Sequence, residues 1–359
     1  MPAKRMEWID ISKGIGIILV VASHVFGGAV SRYSAWFFMP LFFFISGFLY
    51  KGPTPVRPFL KKRVQHLLVP YFSFIIFIGI LTYLSYIFLT TAPNTSIRYA
   101  AEYVWRLLYG GRALGSVFKY LGLPFGICWF LTCLFLTQLL YNEIQKRLGF
   151  SRILVFIVIV GMYILAIADS QTKFMTGAFN NWGLPWNINV VPFAIVFFYI
   201  GHQTARFTRS SMYQRYSVRF DTFVFVFAVS YLFVALVLNN AGILQPRMSV
   251  KFAKYGIPVY SLFLSIALIT LTNWTAKAWS RCQEPVKFII MECGKASMVI
   301  MYVHSYVQFI MKDYAPTAFP MMRFVFSIAL SYCLYRIFLL FPLTRKIFLG
   351  DFRSDSSRF

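Results

Sequence analysis

The chain has 359 residues, of which 59% are hydrophobic, 20% aromatic and only 13% charged, with a net charge of +24. Soluble globular domains carry roughly 25% charged residues, so the composition excludes an ordinary water-soluble enzyme. In a soluble protein the excess of Lys and Arg would indicate nucleic acid, whereas beside recurrent apolar segments it indicates cytoplasmic loops that fix a membrane topology. We therefore expect the lipid bilayer, and no nucleic acid, as a partner.

Apolar segments of about 20 residues, long enough to cross the hydrocarbon core as helices, recur along the whole chain. They predict an all-α, polytopic integral membrane protein with about ten transmembrane helices. Most Lys and Arg residues then fall on the side of the N-terminus, which predicts that both termini are cytoplasmic. The predicted spans are Ile9–Val30, Trp36–Tyr50, Pro70–Leu89, Leu123–Tyr141, Ile153–Ala168, Ile188–Ala205, Asp221–Leu238, Ile257–Thr272, Ala296–Met311 and Met321–Phe341.

The first span contains three ionisable residues, Asp10, Lys13 and His24. An Asp or Lys at a helix centre costs about 2.5–3.5 kcal/mol on insertion scales, so such residues usually face a bundle interior or an aqueous path. At 100° and 1.5 Å per residue, Asp10 and His24 share a face but stand about 21 Å apart, which excludes a hydrogen-bonded dyad. Asp10 and Lys13 are i,i+3 neighbours that can pair at the inner interface. We predict Asp10 near the cytoplasmic entrance and His24 in the outer half.

Two histidines are candidates for proton transfer within the membrane. His24 can act as a general base because an imidazole titrates near pH 6.5, and burial is expected to keep it neutral. The alternative is an imidazole that only hydrogen-bonds to a neighbouring helix. His304, in the ninth predicted span, would lie at a similar depth, which favours a site. No carboxylate or Cys matches that depth, so no metal site is predicted.

The connector Lys51–Val69 is broken by prolines and then alternates basic and apolar residues at helical spacing. This pattern predicts a basic amphipathic helix at the inner membrane surface. The helix can anchor on lipid headgroups, or it can dock a phosphorylated cytosolic ligand, since arginine suits phosphate geometry and lysine supplies positive charge. No Walker or dinucleotide motif accompanies it. In its alternating part, from Phe59 on, the basic residues are Lys61, Lys62, Arg63 and His66.

Two predicted outer loops, Thr90–Gly122 and Asp169–Asn187, are long and rich in Trp, Tyr and Asn. Aromatic rings and amides of this kind can stack on sugars and hydrogen-bond to them. They also commonly anchor a protein at the membrane interface. Both interpretations stay open.

Two segments have a specific pattern: R-M-E-W-I-D-I-S-K-G-I-G-I-I-L-V-V-A-S-H at Arg5–His24, and F-M-P-L-F-F-F-I-S-G-F-L at Phe38–Leu49. Further pieces are the basic run that ends in L-L-V-P-Y at Tyr71, W-F-L at Trp129–Leu131, and S-M-V-I-M-Y-V-H ending at His304. Together they cover nearly the whole chain. The sequence resembles the acyltransferase-3 family, the polytopic membrane O-acyltransferases of glycans, and within it the fucose 4-O-acetylase-like branch.

The resemblance implies transfer of an acyl group, usually acetyl, from a cytosolic coenzyme A thioester to a sugar hydroxyl of an exported glycan or lipid-linked oligosaccharide. It implies an essential histidine, matched by His24, and a basic R-x-x-R pattern that helps to hold the donor. Here that pattern is Arg63-Val64-Gln65-His66, so a histidine replaces its second arginine. Acetyl-CoA would be a substrate, and no cofactor is expected to be bound permanently.

The candidate residues fall into two groups. The catalytic candidates are His24, Asp10 and His304, with Asp10 orienting basic residues and His24 either taking the proton of the acceptor hydroxyl or relaying the acyl group. The expected donor-binding residues are Lys13, Lys62, Arg63 and His66.

We expect residues 1–345 to form the transmembrane domain and residues 346–359 a cytoplasmic tail, in the bacterial inner membrane. Two alternatives stay open. The same scaffold could transfer a succinyl group, and a non-enzymatic glycan transporter or flippase would share the polytopic plan, the intramembrane charges and the aromatic loops.

Overall fold

The structure, a computed structural model, describes residues 6–89, 104–105, 107–110, 128–175, 184–283, 285–314 and 319–352. Most of the predicted loop Thr90–Gly122 lies outside the described residues, as do the start of the predicted span Leu123–Tyr141 and the centre of the loop Asp169–Asn187. Residues Arg353–Phe359 of the predicted tail also lie outside them.

Helices make up almost all of the described chain. They are α1 (Glu7–Phe26), α2 (Gly28–Ser34), α3 (Phe38–Phe48), α4 (Val56–Arg63), α5 (Val69–Leu89), α6 (Trp129–Leu148), α7 (Arg152–Thr172), α8 (Val191–Thr208), α9 (Ser211–Asn240), α10 (Pro258–Ser280), α11 (Pro285–Lys295), α12 (Ser297–Tyr314), α13 (Pro320–Leu340) and α14 (Pro342–Leu349). A π-helical segment, Val64–Leu68, joins α4 to α5, and 3-10 turns cover Pro185–Val190 and Val250–Phe252. Strands β1 (Met248–Ser249) and β2 (Lys254–Tyr255) pair antiparallel, with Met248 opposite Tyr255.

Eight helical segments of the described chain are long and apolar enough to cross a membrane. This confirms a polytopic all-α architecture, while the total of ten spans and the cytoplasmic termini stay predictions. Two predicted spans correspond to helices outside this set, namely α6, which ends in a polar stretch (Glu143 to Arg147), and α12. The eight segments are Glu7–Phe26, Gly28–Phe48, Val56–Leu81, Arg152–Thr172, Pro185–Thr208, Ser211–Asn240, Pro258–Ser280 and Pro320–Leu340.

Several predicted boundaries differ from the observed helix ends, and two of these differences have a clear local cause. The first span ends at Phe26 rather than Val30, because Gly27 and Gly28 adopt φ of 59° and 48°, and the chain restarts there as α2. The third span does not begin at Pro70, since the helix that starts at Val56 runs through the π-helical segment into α5. Pro70 has no N–H for the carbonyl four residues earlier, and the wider π turn lies directly before it.

The described chain divides into two compact units, of which the first comprises Met1–Gly52, Leu148–Lys173 and Pro192–Ser297. In this unit α1 packs closely along α11. A Cβ on Gly14 would overlap the carbonyl oxygen of Ile290, and a Cβ on Gly294 would overlap that of Asp10. Small residues allow helix backbones to approach in this way within membranes. The contact fixes the rotation of α1, the helix that carries three of the candidate residues.

The second unit comprises Pro53–Arg147, Phe174–Val191 and Met298–Phe359, and its core is aromatic. Phe74 of α5 stacks on Tyr302 of α12 at 4.4 Å between ring centroids, and Phe338 stacks on Phe348 at 4.2 Å. Phe348 is buried and belongs to α14, which ends at Leu349. Residue 346, the expected start of the tail, lies within this helix, and the division into a transmembrane domain and a tail stays a prediction.

The close approach of α1 and α11 can be tested by adding a single methyl group. We expect Gly14→Ala to lower the free energy of unfolding by about 1–3 kcal/mol, because the Ile290 carbonyl leaves no room for a Cβ. The matched control is Gly161→Ala in α7, where no atom lies within 4 Å of the added Cβ among the described residues. Thermal unfolding of the detergent-solubilised protein measures both variants. A midpoint for Gly14→Ala equal to that of Gly161→Ala would contradict the packing.

Candidate functional site

Asp10 and Lys13 form an ion pair on α1, as their i,i+3 spacing suggested. The Lys13 Nζ lies 3.8 Å from Asp10 Oδ1, and the Asp10 side chain is almost completely buried. On the same helix the Ser12 hydroxyl donates to Asn273 Oδ1 of α10 at 2.9 Å. The structure therefore gives Asp10 the environment of a charge held inside a helix bundle.

Two further ion pairs lie on the same pair of helices. Lys287 Nζ is 2.9 Å from Glu7 Oε2, which joins α11 to α1, and Lys295 Nζ is 2.6 Å from Glu292 Oε1 within α11. With Asp10 and Lys13, this arrangement balances three acidic side chains with three basic ones. Of the three pairs, the one between Lys287 and Glu7 links α1 to α11 directly.

Cys293 is a residue of α11 beside Glu292, and a cysteine thiol is one kind of side chain that can carry an acyl group. Burial, helped by the neighbouring Glu292 carboxylate, raises the pKa of the Cys293 thiol to about 11. The thiolate is the nucleophilic form, so the thiol stays unreactive at neutral pH. A covalent role for Cys293 is therefore disfavoured.

His24 lies in the last turn of α1, three residues before Gly27 ends the helix. The expectation that His24 is buried was wrong, because its side chain is exposed while Val20, Val21 and Ser23 before it are buried. The helix ends two residues later, so the side chain projects at its end. Asp10 and His24 occupy the first and last parts of one helix, so they do not form a dyad.

The predicted basic helix is present as α4 and the π-helical segment that follows. Lys62 is exposed, and the half-buried Arg63 places its guanidinium carbon 4.7 Å from the centre of the Phe59 ring. His66 lies in the π-helical segment, where it hydrogen-bonds to the backbone of Gly350. Gly350 has φ of 63° and leaves no room for a Cβ beside the Gln65 carbonyl. The histidine that replaces the second arginine is therefore held by the chain just after α14.

His304 is completely buried in α12. Its Nδ1 lies 2.7 Å from the carbonyl oxygen of Ile300, one turn earlier, and its Nε2 lies 3.1 Å from Oγ of Ser305. Sequence reasoning did not single out Ser305. The adjacent Ser-His pair in the printed sequence was the available signal, but neighbouring residues on a helix point about 100° apart, so it gave no reason to expect contact.

In the loop that precedes α8, the backbone at an aromatic residue has a strained conformation. Trp186 and Asn187 both adopt left-handed conformations, with φ of 54° and 53°. Such conformations are unusual for bulky residues and concentrate at functional sites. The Trp186 Nε1–H donates to the Leu108 carbonyl at 2.7 Å, and its ring lies 5.9 Å from that of Phe135. A Trp186 ring held by these contacts is compatible with both the sugar-stacking and the interface-anchoring interpretation.

Within the described ranges, no group of three His, Cys, Asp or Glu residues could hold a metal ion. The structure brings together Asp10 with Lys13, places Lys62, Arg63 and His66 along one continuous helix, and pairs His304 with Ser305. The first pair and His24 belong to the first unit, and the other residues belong to the second.

A comparison with protein families matches residues 6–340 to the model described as "Acyltransferase domain", the acyltransferase-3 model. Neither the curated proteins nor the solved structures gave a match. The family match and the apolar helices together indicate an integral membrane acyltransferase. Because the match covers nearly the whole chain, this protein belongs to the acyltransferase-3 family.

Proposed function

We propose that the protein transfers an acyl group, most simply acetyl, from cytosolic acyl-CoA to a sugar hydroxyl of an exported or cell-surface polysaccharide. Within its family we propose a place in the fucose 4-O-acetylase-like branch. The observation that carries the proposal is the family match over residues 6–340. Eight candidate membrane helices in the described part of the chain suit a reaction whose donor is cytosolic and whose product is exported. We propose the bacterial inner membrane as its location.

The donor is proposed to bind through its phosphates at α4. Arg63 supplies a planar guanidinium that suits phosphate oxygens, and the Phe59 ring beneath it limits the rotamers it samples. The exposed Lys62 adds positive charge. His66 occupies the place of the second family arginine, and its bond to Gly350 orients the imidazole. Lys13 is proposed as a further basic residue for the donor, with Asp10, its ion-pair partner, orienting it.

The acceptor is proposed to react at His24. An imidazole is the usual side chain for taking a proton from a hydroxyl that attacks a carbonyl carbon. The exposure of His24 at the end of α1 supports this role, because a polysaccharide is too large to enter a closed core. Relay of the acyl group on the imidazole itself is the alternative route.

The two alternative functions, succinyl transfer and glycan transport, would leave different products on the polysaccharide, and these products can be measured. A succinyl donor would leave a free carboxylate on each modified sugar, whereas an acetyl donor would leave a neutral ester. A glycan transporter or flippase would leave the ester content of the exported polysaccharide unchanged and would reduce its amount. The family match favours the enzyme.

The first test removes the proposed base. We expect His24→Ala to abolish O-acylation of the surface polysaccharide, because general-base catalysis contributes about 10²–10⁴-fold and no other residue is proposed to replace it. Proton NMR of the extracted polysaccharide measures the ester, and an immunoblot of membranes controls for protein level. His24→Gln keeps a hydrogen-bonding side chain but no basic nitrogen, so it should fail equally. Normal ester content in either variant would contradict the proposal.

The second test concerns the donor. We expect Arg63→Gln to raise the KM for acetyl-CoA about 10–100-fold, because a hydrogen bond to a charged group contributes about 1.5–3 kcal/mol. Arg57→Gln is the matched control, since Arg57 is an exposed residue of the same helix and loses the same charge. Acyl transfer is followed in membrane vesicles at varied acetyl-CoA. An equal rise in KM for both variants would indicate a general effect of charge, and no rise for either would exclude α4 as the donor site.

A further inference from the structure

The junction between α8 and α9, in the first unit, carries a group of exposed basic side chains. They are Arg206, Arg209, Arg215 and Arg219. The nearest carboxylate in sequence belongs to Asp221, which accepts hydrogen bonds from the Tyr213 hydroxyl at 2.9 Å and lies 3.9 Å from Lys277 Nζ. None of the four arginines forms an ion pair within the part of the chain that the structure describes. Their positive charges are therefore available to an anion from outside the protein.

Aromatic contacts fix the shape of this junction. The Phe207 ring of α8 lies 4.8 Å from the Phe220 ring and 5.5 Å from the Tyr213 ring, both of α9. The Ser210 hydroxyl accepts a hydrogen bond from the Tyr213 backbone N–H at 3.2 Å and so caps α9. The backbone that carries the arginines is thus ordered before any ligand binds, and a preordered site loses less entropy on binding.

A groove opens where α9 is kinked. Tyr216 leaves the helical conformation, with φ of −120° and ψ of 18°. The groove has a volume of about 350 Å³ and is lined by Arg215, Tyr216, Ser217, Val218 and Arg219. The Arg215 guanidinium carbon lies 5.5 Å from the centre of the Tyr216 ring. Two arginines and a serine hydroxyl bordering one small space are suited to the oxygens of a phosphate group.

The length of α9 places the groove at the level of lipid headgroups. The helix has 30 residues and is a candidate membrane span. At 1.5 Å per residue it is about 45 Å long, whereas the hydrocarbon core is about 30 Å thick. About ten residues therefore extend beyond the core, and the basic composition of the first ten, Ser211–Phe220, places the excess at this end.

The groove also adjoins the face of α9 that is directed toward lipid. Phe223 and Val226 are 69% and 55% exposed, as expected for side chains that contact acyl chains in a membrane span. At 100° per residue, Arg219 lies within an arc of about 60° with these two residues. The arginine thus ends an apolar stripe of α9. A ligand with a phosphate above and acyl chains below matches this order of side chains, whereas a soluble phosphate compound would leave the stripe unused.

We propose that the α8–α9 junction binds the headgroup of an anionic phospholipid on the side of the membrane that we predict to be cytoplasmic. Arg215 and Arg219 contact the phosphate oxygens in the groove, and Arg206 and Arg209 add positive charge. The acyl chains lie along Phe223 and the exposed residues that follow it. This lipid site goes beyond the proposed function, because it belongs to a surface with no part in acyl transfer.

The test measures lipid binding by the purified full-length protein in detergent. The probes are phosphatidylglycerol and phosphatidylcholine with identical acyl chains, and native mass spectrometry measures the affinity for each lipid. We expect wild type to bind phosphatidylglycerol more tightly than the neutral phosphatidylcholine. The double variant Arg215→Gln/Arg219→Gln should bind phosphatidylglycerol about 25-fold more weakly, because each arginine near an anionic headgroup contributes a factor of about 5. Binding by wild type should also weaken as the salt concentration rises.

A matched variant separates the site from the total charge. Arg152→Gln/Arg247→Gln removes two exposed arginines of the same unit that lie outside the junction, and it should bind phosphatidylglycerol as wild type does. Thermal unfolding gives a second measurement. Vesicles with equal parts of phosphatidylglycerol and phosphatidylcholine should raise the wild-type midpoint above its value in phosphatidylcholine alone, since a ligand stabilises the state that binds it. Arg215→Gln/Arg219→Gln should lose this rise and keep the midpoint of wild type in phosphatidylcholine.

Four results would overturn the lipid site. They are equal affinity of wild type for the two lipids, unchanged binding of phosphatidylglycerol by Arg215→Gln/Arg219→Gln, an equal loss in both double variants, and binding of coenzyme A that Arg215→Gln/Arg219→Gln abolishes. The last result would assign the groove to a soluble phosphate compound. None of the other three measurements involves the donor or the polysaccharide, so their failure leaves the proposed function standing.

Discussion

The contact of α1 with α11 through Gly14 and Gly294 is the constraint on which the first unit depends. Since each glycine faces a backbone carbonyl of the other helix, only one rotation and one depth of α1 are compatible with the approach. That rotation buries Asp10 beside Lys13 and turns the polar groups of α1 toward α10 and α11. It also sets where α1 ends, and so where His24 becomes exposed. A bilayer offers no hydrophobic force between helices, so close packing of this kind supplies the stability.

In the second unit the corresponding constraint is the missing N–H of Pro70. The helix from α4 to α5 widens to a π turn before it, and the chain after α14 contacts that turn through Gly350. His66 is oriented there, a few residues from Arg63. The basic surface that we propose for the donor is thus part of a helix that continues into the aromatic core around Phe74 and Tyr302, rather than a separate surface segment.

The sequence was sufficient to predict those features that follow from local periodicity. Apolar runs gave the helices, and the i,i+3 spacing of Asp10 and Lys13 gave their ion pair. The end of α1 at Gly27 could not be predicted, because an apolar run does not show where glycine takes a positive φ. The continuation of a helix through Pro70 could not be predicted either, because it depends on a π turn. The exposure of His24 and the contact of Ser305 with His304 depend on side-chain directions and packing partners that no spacing rule supplies.

We propose that an acyl group passes from cytosolic coenzyme A to a glycan outside. Right-side-out membrane vesicles that carry the cell's own glycan, loaded with coenzyme A thioester labelled either in the acetyl group or in the adenine, test it most directly. We expect acetyl label to appear as ester on the external glycan while adenine label stays inside, and only in vesicles that contain the protein. Equal labelling of vesicles that lack the protein, or no ester label on the glycan, would contradict it.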